Sequence, residues 1–316
     1  MKDKAPIIIF GFNRAKSLRR AVESLLQNAE APESDLFVFV DGARADKAGE
    51  AEKVDAVRKY AERIKGFKSL TCTFAERNKG LAPSVISGVT QVMNQRGRAI
   101  VVEDDLVVSK SFLRYMNEML DKYESDARIM QVTGFGCKIR KPRDYSWDVY
   151  LNERAHSWSW GTWKDRWDTV DWEVSDFAEL KGSRKKQTAF NKRGSDLYSM
   201  LKDYMEGRNS SWWIRFNYSM FKQHRFAVSP VRSLAQNFGF SKEATHCKTH
   251  TYNRYKNDFE EYHAGAFLSP ERLEPSERIM HEAVKYWTIR YRIYGKIMAY
   301  LHKARQRTFG KISEDS

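Results

Sequence analysis

Through its first 135 residues the chain alternates short β-branched and aromatic runs with longer stretches of helical periodicity, and this alternation limits the fold more than any other feature. The runs are PIIIFGF (6–12), DLFVFVDG (35–42), LTCTFAE (70–76), AIVVEDDLVV (99–108) and IMQVTGF (129–135). After the first, Leu18, Val22, Leu25 and Leu26 recur at helical spacing behind Ser17, which reads as an N-cap. A charged helical stretch to about residue 64, then APSVISGVTQVMNQ, then a segment from Ser109 to about Tyr123 fill the other gaps. Continuous apolar strands separated by helices predict an α/β layered domain, a mostly parallel, Rossmann-like sheet flanked by helices. Right-handed crossovers would bring the strand C-termini to one edge, where ligands of such sheets bind.

That edge collects polar groups. Asn13 and Arg14 follow the first strand, Asp41 ends the second, Glu76, Arg77 and Asn78 follow the third, and Glu103, Asp104 and Asp105 sit late in the fourth. Strand alternation would send Glu103 and Asp105 to one side and Asp104 to the other. Like charges that close cost free energy unless a cation is bound or the strand has reached solvent. Hard oxygen ligands suit Mg²⁺ or Mn²⁺, which complete their shells with water and substrate phosphates. The triplet thus implies a metal-bound diphosphate; the alternative is an acidic loop capping the helix that starts near Ser109.

Lys and Arg outnumber Asp and Glu by 55 to 41, which favours an anionic partner, unless the surplus only keeps the surface soluble. Three separated cysteines, Cys72, Cys137 and Cys247, read as reduced thiols rather than a disulfide framework. The N-terminus reads as a strand, not a signal peptide, and no apolar run is long enough to span a membrane, so a cytoplasmic protein is expected. Beyond residue 136 come a basic loop (Lys138 to Arg143), the Trp-dense HSWSWGTWKDRWDTVDW and a second basic loop around Arg184 to Lys186. From Ser276 onward the pattern is helical, with Trp287, Tyr291, Tyr294, Met298 and Leu301 on one face and Lys285, Arg292, Lys296 and Lys303 opposite. Such a helix either docks on the domain or lies at an anionic membrane surface.

The segment IVVEDDLVVSKSFLRYM resembles the DXD-type segment of GT-A fold glycosyltransferases, and especially the EDD segment of the N-acetylglucosaminyltransferase I type. IIIFGFNRAKSLRRAVESLL, VFVDGAR and ERNKGLAPSVISGV are similar to nucleotide-binding segments of that fold and of family 2 glycosyltransferases. SWSWGTWKDRW, SWWIRF and AQNFGFSKEATHC resemble acceptor-side motifs of bacterial members. The resemblance implies a nucleotide-sugar-binding half over 1–135, an acceptor-side half of the same domain over 136–250 and a C-terminal helical extension over 251–316. It implies that Asp41 binds the uracil or ribose of a UDP-sugar, that Phe12, Asn13 and Arg14 line the base pocket, and that Arg77, Asn78 and Gly80 lie near the diphosphate or ribose. Glu103 and Asp104 would contact ribose or donor sugar, Asp105 would hold Mn²⁺ or Mg²⁺, and His246 stands where such enzymes have a second metal or diphosphate contact.

An inverting transfer also needs a carboxylate base and cationic help for the leaving diphosphate. Arg215 and the two basic loops are candidates for the cation. Asp165, among Trp158, Trp160 and Trp163, is the first choice for the base, with Asp168, Asp203 and Glu206 as alternatives. In the N-acetylglucosaminyltransferase I pattern the catalytic Asp precedes WIR; here that place reads Ser211-Trp212. The expectation is an inverting, metal-dependent transferase moving a sugar, GlcNAc first, from a UDP-sugar to a glycan or lipid-linked acceptor of bacterial surface polysaccharide. A sugar-phosphate nucleotidyltransferase would carry a Gly-rich phosphate loop after the first strand, which GFNRAKS lacks. A nucleic-acid-binding protein fits the charge, but no recognition motif is visible and the acidic triplet would repel a phosphate backbone.

Overall fold

The structure, a computed structural model, describes residues 3–238 and 257–310, with side chains up to Leu301. In chain order the first half forms β1 (Ile7–Gly11), α1 (Ala15–Leu25), β2 (Asp35–Val40), α2 (Glu50–Ala61), β3 (Ser69–Phe74), α3 (Leu81–Arg96), β4 (Arg98–Glu103), β5 (Leu106–Val108), α4 (Phe112–Lys122) and β6 (Ile129–Thr133). The second half adds β7 (Val149–Asn152), β8 (Trp160–Trp163), α5 (Lys164–Trp167), α6 (Phe177–Gly182), α7 (Arg184–Asn191), α8 (Leu197–Met205), α9 (Trp212–Lys222), β9 (Phe226–Pro230), β10 (Ala235–Asn237), α10 (Glu277–Val284) and α11 (Ile289–Gly310).

Among the described residues the main sheet has eight strands in the order β3-β2-β1-β4-β8-β6-β9-β7, and β10 pairs with β5 as a separate ribbon. β1, β2, β3 and β4 are parallel, as the alternation predicts. β8 inserts antiparallel to both β4 and β6, so β6 runs in the direction of β4, and β9 follows β6. Six strands therefore point one way and deliver their C-termini to one edge, while β7 and β8 run back. The layered α/β sheet flanked by helices is the expected architecture.

The apolar runs build two cores because successive side chains face opposite ways. Ile7 and Ile9 of β1, with Ile100 and Val102 of β4, pack against Leu18, Val22 and Leu25 of α1 and against Leu113 and Met116 of α4. Ile8, Ala99 and Val101 point to the other face, against Val85, Val89 and Met93 of α3 and Trp212, Phe216 and Met220 of α9. Each such buried side chain contributes about 1.5–3 kcal/mol before the entropy of ordering is counted.

Three expectations about elements need correction. AIVVEDDLVV is not one strand: β4 ends at Glu103 and the chain turns at Asp104 and Asp105 before β5. Helix α1 starts at Ala15 with Arg14 in the N-cap position, so Ser17 lies inside the first turn and does not cap. The C-terminal helix is broken, because a 3-10 turn at Lys285–Trp287 separates α10 from α11. The residues grouped on one wheel therefore do not share one helix. Cys72 and Cys137 are free thiols, as read from their spacing, and Cys247 lies outside the described residues.

Candidate functional site

The acidic triplet lies where β4 reaches the C-terminal edge. Because the strand stops at Glu103, alternation no longer separates the two aspartates, and both turn to one guanidinium. Arg14 Nη2 donates to Asp104 Oδ1 at 2.5 Å and to Asp105 Oδ2 at 3.2 Å. A cation at the N-cap of α1 is opposed by the helix dipole, so the acids, not the helix, hold Arg14 there. Burial costs this guanidinium, but the charges of Asp104 and Asp105 outweigh it and hold it above its ordinary pKa. Burial also pushes Asp104 up to about 7, with Arg14 opposing and Asp105 adding to the rise. Glu103 is raised well above the carboxylate range by burial and by the charges of Asp105 and Asp104. Three acids thus face one cation. The triplet does not cap α4, whose N-cap is Ser111.

The ribbon β5–β10 closes one side of this corner. Its register pairs Leu106 with Asn237, which brings Asn237 Nδ2 to 3.4 Å from Asp105 Oδ1, and Phe238 N–H donates to the Asp105 carbonyl at 2.9 Å. Asn237 was not singled out in the sequence, although AQNFGF marked the segment.

Asp41 arrives from β2, and its carboxylate is fully engaged. Oδ1 accepts from the N–H groups of Gly42 and Lys79, both at 2.9 Å; Oδ2 accepts from Gly80 N–H at 3.0 Å and Asn78 Nδ2 at 3.1 Å. Four donors fill the acceptor sites of a carboxylate. Asp41 therefore shapes the Asn78–Gly80 loop at the start of α3 in this state and offers no spare acceptor. A Cβ on Gly42 would lie 2.4 Å from the Arg77 carbonyl carbon, so the two strand ends meet in direct backbone contact. Arg77 itself is exposed.

Asn13 and Phe12 are held from α2. Glu50 Oε1 accepts from Asn13 Nδ2 at 3.1 Å, and Glu50 Oε2 accepts from Arg44 N–H and Nε, both at 2.9 Å. The Arg44 guanidinium lies 5.5 Å from the Phe12 ring centre. Glu50 and Arg44 were missed in the sequence; the available signal was an acidic residue opening a helix just after Gly49, which takes φ 71. Arg44 bonding, against a burial cost, holds the Glu50 carboxyl down to about 2 from the usual 4.5. A depressed carboxylate stabilises the fold fully above its unfolded pKa and loses that contribution as pH falls through its folded one. With Arg44 half exposed the shift is discounted to about 1–2 kcal/mol. Glu50→Gln is expected to lower stability by that amount at neutral pH in urea unfolding, the gap closing as pH falls from 4.5 toward 2.

Asp165 and Asp168 do not belong to this site. β8 is antiparallel to β4 with Trp163 opposite Arg98, and Lys164 N–H donates to the Gly97 carbonyl at 2.7 Å. Residues after Trp163 therefore emerge where β4 begins, about 17 Å from Glu103 at the rise of a strand. Asp165 is bound to Arg166 at 2.6 Å, Asp168 pairs with Lys164, and both project from the opposite edge. The tryptophans there do not desolvate a base either. Trp160 is buried in a core stack with Trp167 (5.8 Å) and Trp212 (5.0 Å), and Trp163 donates its indole N–H to the Leu120 carbonyl. Half-buried Trp158, 4.8 Å from Phe135 just past β6, is the member of the group at the functional edge.

Helix α9 leads into β9 and so runs back along the sheet, pointing its N-terminal end toward the functional edge. Ser211 caps it, its Oγ accepting from Ile214 N–H at 3.3 Å, where a carboxylate was sought. Asp203 and Glu206 lie just before this end, and both pair with Arg208, whose Nε reaches Asp203 at 2.9 Å. Arg215 is not placed to meet a diphosphate. Its guanidinium is buried, donates to the carbonyls of Trp172 (2.9 Å) and Ser211 (3.4 Å) and lies 4.3 Å from the Tyr204 ring. Burial pushes its pKa down. Lys138 and Lys186 of the basic loops pair with Asp258 and Glu179. His246 lies outside the described residues.

No group of three or more His, Cys, Asp and Glu side chains is placed to hold a metal among the described residues. The hard oxygens of Asp104 and Asp105 nonetheless converge on one cation, with an unbalanced Glu103 beside them. That donor set suits a divalent ion completed by water and phosphate oxygens.

Residues 7–180 match the family model described as Glycosyl transferase family 2. No curated protein sequence matches the chain. Among solved structures, the mannosyltransferase PcManGT from Pyrobaculum calidifontis, in complex with GDP-Man and Mn²⁺, is similar at 12% identity and a TM-score of 0.39 over 71% of this chain and 70% of that one. S. aureus TarS is similar at 14% identity and a TM-score of 0.39, over 82% of this chain but 41% of its own, less than half its length.

Proposed function

Since the chain belongs to glycosyl transferase family 2 and is a nucleotide-sugar glycosyltransferase, we propose that the edge formed by β1, β2 and β4 binds a UDP-sugar, UDP-GlcNAc first among donors, and that transfer proceeds with inversion. The acceptor is a glycan or lipid-linked saccharide of a bacterial surface polysaccharide. The observation that carries this reading is the convergence of Asp104 and Asp105 on a single cation at a strand end, with Glu103 alongside.

Asp105, with Asp104 beside it, would hold the divalent ion. That ion supplies charge neutralisation for the departing diphosphate. Arg14, already on the two aspartates, is placed to pass to a phosphate oxygen when a stronger cation takes its position. The Asp41-organised loop presents the exposed Arg77 and Lys79 and the α3 N-terminus to the same corner, a setting that favours an anion. Phe12 and Asn13, steadied by Arg44 and Glu50, border the base side. In the chemical step an acceptor hydroxyl oxygen attacks the anomeric carbon, the bond from that carbon to the diphosphate oxygen breaks, and a carboxylate takes the hydroxyl proton. Asp203 and Glu206 remain for that role; release from Arg208 would free either.

The test is a panel of UDP-sugars with Mn²⁺ and polysaccharide-type acceptors, followed by proton NMR of the new anomeric signal. Product of inverted configuration from one UDP-sugar supports the reading. Retention, or turnover with other nucleotides alone, counts against it.

A further inference from the structure

We propose that the outward face of α11 is a docking surface for an anionic membrane. The root of the helix is fixed to the domain. Ile279, Met280, Ala283, Val284, Tyr286 and Trp287 are buried, Tyr286 Oη donates to the Lys138 carbonyl at 2.7 Å, and Ser195 Oγ donates to the Trp287 carbonyl at 2.9 Å. Past Thr288 the apolar residues turn outward: Ile289 is 63% exposed, Ile293 and Ile297 each 53%, Tyr300 74% and Leu301 48%. At 100° per residue these five fall within an arc of about 120°, the width of an amphipathic face. It shares Leu301 with the aromatic stripe expected from the sequence and borders that stripe's exposed Tyr294, whereas Tyr291 and Met298 are half-buried. Single exposed apolar side chains need no explanation, but a continuous row marks an interaction site.

The charge around this row selects the occupant. No Asp or Glu occurs between Glu282 and Glu314, while Lys285, Arg290, Arg292 and Lys296 lie within the described part of that span. Beside the root the exposed Arg140, Lys141 and Arg143 add to the same field, on a loop linked to the root by Tyr286 on the Lys138 carbonyl and by Arg140 N–H on Glu282. Isoleucines among basic side chains match the boundary of an anionic bilayer, where each Lys or Arg strengthens binding roughly fivefold. A second copy would bring Arg290 and Lys296 against their own images, and nucleic acid would leave the isoleucines unmatched. No helix among the described residues is long and apolar enough to cross a membrane, so α11 would lie on the surface.

Placement ties this surface to the site. Trp287 at the root packs 5.5 Å from His156, and His156 5.2 Å from Phe135, which follows the C-terminal end of β6. The membrane face thus roots at the edge where β4 presents Asp105. This deepens the proposed function by supplying the surface that presents a lipid-linked acceptor, and it rests on that reading for the acceptor alone.

The experiment is co-sedimentation of the full chain with phosphatidylcholine vesicles with and without phosphatidylglycerol, for wild type and for Ile289→Ser/Ile293→Ser/Ile297→Ser, with UDP affinity in Mn²⁺ measured on both proteins. Expected are binding to the anionic vesicles only, weakening with salt, and a loss of roughly tenfold or more in the triple variant at unchanged UDP affinity. No wild-type binding, equal binding to neutral vesicles, equal binding by the variant, or a wild-type dimer that the variant dissolves would each overturn the proposal. Failure of UDP to bind wild type while vesicle binding holds would instead count against the donor-site reading.

Discussion

Asp105→Ala is expected to weaken Mn²⁺-dependent UDP binding by about a hundredfold, equivalent to about 2.7 kcal/mol, and to end sugar transfer. The side chain sits where the β4 turn, the β5–β10 ribbon and α1 meet, so its loss removes a hard oxygen ligand without opening a core. Stability should change little, because Arg14 keeps Asp104 at 2.5 Å. Arg14→Gln is the complementary variant. It removes the resident cation from Asp104 and Asp105, so Mn²⁺ alone should bind several-fold more tightly while Mn²⁺·UDP loses a phosphate contact, giving opposite signs in two titrations of one protein. Weaker binding of Mn²⁺ alone would show that Arg14 does not compete for those oxygens.

The second large effect is expected at Asp41. Asp41→Ala strips the acceptors from the N–H groups of Gly42, Lys79 and Gly80 and from the Asn78 amide. Water takes up part of this in an exposed loop, so the stability cost is about 2 kcal/mol rather than the sum of four bonds. Nucleotide affinity should fall about tenfold, because the loop before α3 loses the shape that turns its donors toward the edge. Asp41→Asn separates geometry from charge. It keeps one acceptor oxygen but points an NH₂ at donors, and about half of each effect should remain. Full UDP affinity in Asp41→Ala would remove the loop from the donor site.

Strands β1, β2, β4 and β6 were legible because they are largely buried on both faces and read as continuous apolar runs, while the half-exposed edge strand β3 showed only as the β-branched and aromatic LTCTFAE; the crossover rule then placed their ends together. The Asp104–Asp105 break was masked inside such a run, since valines flank it on both sides and the two turn-favouring aspartates were its one local signal. The position of Asp165 was not legible at all. The direction of β8 is set by its pairing with β4 and β6, which no property of WGTW encodes, and that direction puts the residues directly after Trp163 at the far edge. Trp160 misled for a related reason, because a tryptophan that fills a core and one that stacks on a sugar look alike in sequence. Glu50 bonds Asn13 across 37 residues, a contact that only tertiary packing creates. On α11 Tyr291, Tyr294, Met298 and Leu301 share one side as the wheel grouped them, but the break at Lys285–Trp287 leaves Trp287 outside the helix, and the neighbouring isoleucines, which the wheel did not single out, are among its most exposed apolar side chains.

The central claim is that one sheet edge holds a nucleoside diphosphate through a divalent ion. Its most direct test is calorimetric titration of UDP into the wild-type chain with Mn²⁺ and then with a chelator. Saturable binding that weakens roughly tenfold or more without the ion is predicted. Equal UDP affinity in both titrations, or no binding in either, would contradict it.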